Sequence, residues 1–93
     1  MTRNNIIISS LAMDLKRVAL AYYNKSEKTA EIFSREVLNR LHEVDKEAVS
    51  DYIIKCFSNL PASLSLSDKS YVAENALMYS TIFQNYIIKQ TTT

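Results

Sequence analysis

The tetrapeptide Tyr-Ile-Ile-Lys occurs twice in this chain, at Tyr52–Lys55 and again at Tyr86–Lys89. Three bulky residues followed by a lysine suit a β-strand by composition. They suit equally well a helix that carries one apolar residue off its buried face. The flanking residues decide between the two. Around the first copy, Val49, Tyr52, Ile53 and Cys56 recur at helical spacing, with Leu60 just beyond. Around the second, Tyr71, Val72, Met78, Tyr79, Ile82, Phe83 and Tyr86 form a broader face. Both segments continue a 3.6-residue period, and no stretch sustains the alternation of a half-buried strand. Both are read as helix. The copies lie 34 residues apart, but upstream Asp45 falls opposite Tyr79 and Leu41 opposite Asn75, so the chain is not an internal repeat.

The same period runs outward over the rest of the chain. It predicts four helices, at about residues 4–23, 26–44, 46–58 and 68–89, in an all-α antiparallel four-helix bundle that forms one domain over 1–93. The first helix has Ile8, Leu11, Leu15, Val18 and Tyr22 in its stripe, with Ala12 and Ala19 beside it to let a neighbour come close. The second has Ala30, Phe33, Val37, Leu41 and Val44. Asp45 and Ser67 are suited to start helices, with Val44 and Val49, and Leu66 and Tyr71, as hydrophobic staples. Asn24 and Asn59 sit where a left-handed stop is wanted, and Pro61 follows the second.

The composition narrows function mainly by exclusion. There is no glycine among 93 residues. Phosphate-cradling loops, dinucleotide fingerprints and EF-hand loops all need glycine for positive φ or for close approach of backbone to ligand. Eleven basic and ten acidic residues leave a net charge of +1, and the basic side chains are scattered among acids. Nucleic acid is therefore not an expected partner. The apolar run Ile6–Ile8 is interrupted by Ser9, Ser10 and Asp14 before it reaches signal-peptide or membrane-span length. A single cysteine, Cys56, fits a reducing compartment. The expectation is a soluble cytoplasmic protein with no membrane contact.

Candidate chemistry is sparse. His42 is the only histidine, so metal sites built on two histidines or on cysteine–histidine clusters lack ligands; no metal or cofactor is expected. His42 reads as a boundary residue near a helix C-terminus, where the dipole favours it. Cys56 reads as a small core residue. Arg35 and His42, spaced as R-EVLNRL-H, resemble the Arg-x(4–6)-His signature of HEPN-type ribonucleases. That resemblance implies a helical bundle whose Arg35 and His42 act on an RNA backbone in a dimer cleft, without metal. Here the motif lies on the second helix, and Glu36 stands where that family has a small polar residue. Two other stretches, LAMDLKRVAL (11–20) and ALMYSTIFQNYI (76–87), resemble small, uncharacterised all-helical proteins of cyanobacterial type, which implies a helical bundle and no activity.

Three successive helical residues span about 200°, more than a one-sided core can take. In the two YIIK segments the stripes take Tyr52 with Ile53 and Tyr86 with Ile87, leaving Ile54 and Ile88 outside. Leu77 lies on the same outer side as Ile88, and Ile32 faces away from the second helix's stripe. Exposed aliphatic residues aligned on the longest helix predict an interface. The expected molecule is a non-enzymatic interaction or regulatory module, a two-fold homodimer contacting through Leu77, Ile88, Ile54 and Ile32. The alternatives are the ribonuclease built on Arg35 and His42, and an adaptor subunit whose partner is a larger protein.

Overall fold

The structure is a computed structural model that describes residues 2–91. It is all-helical, with helices α1 (Arg3–Tyr23), α2 (Glu27–Leu41), α3 (Asp51–Ser63) and α4 (Lys69–Thr91), and one 3-10 turn, Lys46–Ala48.

Helix α1 is the centre of the assembly. Its apolar row Ile8, Leu11, Leu15 and Val18 is fully buried, and each such side chain contributes about 1.5–3 kcal/mol on leaving water. The alanines beside that row do what their size allows. Ala12 and Ala19 are fully buried, as are Ala73 and Ala76 of α4, and the buried Ser80 hydroxyl of α4 donates to the Ala12 main-chain carbonyl at 2.7 Å. Only a close approach of backbones permits that bond. Against α2, α1 uses Asp14, which is buried and paired with Arg17 at 3.0 Å and with Arg40 of α2 at 3.1 Å. The Arg17 guanidinium also lies 5.5 Å from the centre of the Phe33 ring on α2. Helix α3 closes the core through Ile53, Cys56, Phe57 and Leu60; Phe57 packs at 5.3 Å on Phe83, which stacks on Tyr79 at 6.1 Å.

The ends of the helices also meet in pairs. Asn4, at the start of α1, bonds to Asp45, just after α2. Tyr22, at the end of α1, lies under the Lys69 ammonium that opens α4, 5.9 Å away. The Asn75 amide donates to the Ser63 carbonyl at the end of α3.

Several boundaries differ from those the sequence predicts. Helix α2 stops at Leu41 and not near 44, because Val44 reaches the core from the following turn without helical backbone. Asp45 does cap, but it caps the 3-10 turn, accepting from the Glu47 amide. Ser50 caps α3, accepting from the Ile53 amide, so the third helix begins at Asp51, five residues later than expected. It then runs through Asn59 and Pro61. Carrying the backbone on to Ser63 brings Leu60 and Leu64 into the core, which outweighs the bond that proline cannot donate. The left-handed residue after α1 is Lys25, with φ 59°, and not Asn24. At the start of α4, Asp68 and not Ser67 accepts from the Ser70 amide.

Candidate interaction surface

The two YIIK segments share one pattern: the first isoleucine of each, Ile53 and Ile87, is buried. The tyrosines differ. Tyr52 is 61% exposed, whereas Tyr86 is half-buried and packs against the core. Tyr52 therefore stands outside the α3 stripe on which the sequence places it, and Phe57 fills the core instead. Tyr52, Ile53, Tyr86 and Lys89 line one cleft between α3 and α4, so the two copies face each other.

Arg35 and His42 are both exposed on the α2 side. They line separate clefts. His42, the residue that ends α2, stands with Leu41, Lys46, Phe57 and Pro61, while Arg35 stands with Tyr22, Glu31, Ser34 and Lys69; Leu38 borders both. Seven residues on one helix set the two side chains about 10 Å apart along its axis. Among the described residues, no group of three or more His, Cys, Asp or Glu side chains is placed to hold a metal ion. Burial pushes the Cys56 thiol above its usual range, with a hydrogen bond from Tyr52 working the other way. A thiol kept protonated is a poor nucleophile.

The four aliphatic residues singled out as an interface are spread over three helices. Ile54 is half-buried on α3 and Ile32 is exposed on α2. Leu77 and Ile88 are exposed on α4, 42% and 55%. They share the edge of α4 that turns toward α1, the side from which Ser80 reaches Ala12. Ile88 there borders an apolar cleft with Ile87, Gln84, Ser9 and Met13.

That cleft leads onto a row of exposed side chains that the core stripes did not include. Ile6, Met13 and Leu20 of α1 are 54%, 51% and 50% exposed, and they stand on the side of α1 opposite Leu11. From Asn4 to Met13 and from Asn75 to Ile88 no residue carries a charge; the exposed charges beside the rest of the row are Lys16 and Arg17, between Met13 and Leu20. Helix α4 separates its apolar and polar residues less cleanly than α2 and α3: exposed Tyr71, Leu77, Met78 and Ile88 stand among Glu74, Thr81, Gln84 and Asn85. The signal for Ile6, Met13 and Leu20 was present in the sequence as a strict spacing of seven opposite the core row. No helix among the described residues is long and apolar enough to cross a membrane.

Comparison of the chain with protein-family models, with curated proteins and with solved structures finds no match.

Proposed function

We propose that this chain is a non-enzymatic interaction module, an antiparallel four-helix bundle that pairs with a second copy through its α1–α4 face. The antiparallel order is supported by the pairing of helix ends: Asn4 with Asp45, Tyr22 with Lys69, Asn75 with Ser63. The observation that carries the functional reading is the exposed apolar face holding Leu77 and Ile88 together with the cleft beside Met13, where neither Asn4–Met13 nor Asn75–Ile88 carries a charge. A two-fold interface sets a surface against itself, so any charge at its centre meets its own kind. The uncharged part of the face around Met13 and Ile88 avoids that cost, and of the two cations nearer Leu20, Arg17 is held by Asp14 and Lys16 stands away from the centre. The cytoplasm is the compartment that best fits a lone, buried, free cysteine.

Light scattering at micromolar concentration tests the proposal. The wild type is expected as a dimer, and the Leu77→Glu/Ile88→Glu double variant as a folded monomer by circular dichroism. A folded wild-type monomer overturns the homodimer and leaves the face to a different protein, as in an adaptor subunit. RNA cleavage that disappears with His42→Ala would replace the non-enzymatic reading altogether.

A further inference from the structure

We infer that in the homodimer α1 crosses α1 of the partner in antiparallel fashion, with the two-fold axis beside Met13. The inference rests on the homodimer reading and adds the register of the contact.

Ile6, Met13 and Leu20 stand seven residues apart, two helical turns or about 10.5 Å each. An apolar row of that period fills one of the two core positions of a helix–helix seam, with Ser9, Ser10, Lys16 and Arg17 at the spacing of the other, and a copy of the same row can cover it. This row is its own complement. Rotation about an axis beside Met13 brings Ile6 opposite the partner's Leu20, Leu20 opposite the partner's Ile6, and Met13 opposite the partner's Met13. Methionine suits the axis, because its unbranched side chain adapts to a copy of itself.

The two basic residues near the row choose the direction. In a parallel pairing Lys16 meets the partner's Lys16, and like charges face each other. In the antiparallel pairing Lys16 meets the partner's Ser10, and Arg17 meets the partner's Ser9. Arg17 is moreover drawn off the row by its ion pair with buried Asp14. No acidic side chain lies in the row to attract a basic partner; Asp14 points into the protein. The size is adequate too. Helix α1, with 21 residues, is about 30 Å long, and with α4 beside it the face is about 20 Å wide. That is roughly 600 Å² even as a flat plane, close to the ~800 Å² of accessible surface that each partner contributes to a standard interface. Ile88 continues the apolar surface from the cleft beside Met13.

Disulfide trapping tests the register. Met13→Cys, made in a Cys56→Ala background, is expected to form a symmetric intermolecular disulfide nearly quantitatively on mild oxidation. Ile6→Cys alone and Leu20→Cys alone are expected to stay reduced, while their mixture crosslinks as a heterodimer. Should the background variant fail to fold, Cys56 is kept and mass spectrometry assigns the crosslinked position. A protein that is dimeric by light scattering but whose Met13→Cys variant stays reduced, or whose Ile6→Cys variant crosslinks to itself, overturns the register and leaves the homodimer standing. A wild-type monomer removes both.

Discussion

The side-chain amide of Asn4 bonds to both backbone groups of Asp45, its Nδ2 donating to the Asp45 carbonyl at 2.9 Å and its Oδ1 accepting from the Asp45 amide at 3.0 Å. Two bonds of opposite sense fix the orientation of the amide and tie the first turn of α1 to the segment between α2 and α3. Asn4→Ala is expected to lower stability by roughly 1–2 kcal/mol, the net worth of two partly solvated hydrogen bonds. Asn4→Asp should cost as much, because it keeps the acceptor but sets a carboxylate oxygen against the Asp45 carbonyl. Urea denaturation of both variants checks this; a midpoint unchanged in either would show that the tie contributes nothing.

Lys25 occupies a position that other chains give to glycine. Its φ of 59° completes a Schellman motif in which the Ser26 amide reaches the Ala21 carbonyl at 2.7 Å and the Lys25 amide reaches the Tyr22 carbonyl at 3.0 Å. A side chain in that conformation costs about 1–2 kcal/mol. Lys25→Gly removes this cost and gives back part of it, about 0.4–1 kcal/mol, as greater freedom of the unfolded chain. The net expectation is a gain of roughly 0.5–1 kcal/mol in thermal or chemical denaturation, and a loss with Lys25→Val. A glycine variant less stable than the wild type would contradict the strain.

Asp14 is the one buried carboxylate among the described residues, and it holds α1 to α2 through Arg40 while also binding Arg17. Asp14→Ala is expected to cost about 1.5–3 kcal/mol, the range for charge-assisted hydrogen bonds. Arg40→Ala should cost less, since Arg17 stays with the carboxylate and Arg40 is partly solvated. Denaturation of the two single variants and the double variant would show the singles summing to more than the double. Strict additivity would mean that the pair is only a surface contact.

Much of this could be read from the residues, and the misreadings have physical causes. In α1 the stripe Ile8, Leu11, Leu15, Val18 and its flanking alanines emerge as expected, because these residues recur at spacings of three and four along one side of the helix. In α4 every row of the helix carries something apolar, so counting hydrophobic residues does not choose among them. Ala73, Ala76 and Ser80 choose, by letting α1 come close; Tyr71 and Met78, expected inside, are therefore turned out. In α3 the delayed start at Ser50 goes with Phe57 in the core and Tyr52 at the surface. The face beside Met13 was half legible. Leu77 and Ile88 stood out as excess apolar residues, whereas Ile6, Met13 and Leu20, at a spacing of seven and separated by Ser9, Ser10, Lys16 and Arg17, make too sparse a row to stand out.

The alkaline limb of the stability profile follows from two weak acids, the buried Cys56 thiol and the half-buried Tyr22 hydroxyl. Burial pushes the Cys56 thiol above its ordinary 9.0, and burial, helped by Glu31 and then Glu27, pushes the Tyr22 hydroxyl above its ordinary 10.0. In each case the folded protein keeps a proton that the unfolded chain releases first. The folded state therefore binds more protons than the unfolded one once the pH passes the ordinary values, and stability falls as pH rises. Below those values both states are protonated and these two groups contribute no slope. Melting temperature is expected to lose ground to these groups from about pH 9, where the unfolded thiol ionises, and further above pH 10 with the unfolded tyrosine. Cys56→Ala should flatten the first part of the decline and Tyr22→Phe the second. A decline that both variants leave unchanged would place its origin in other groups.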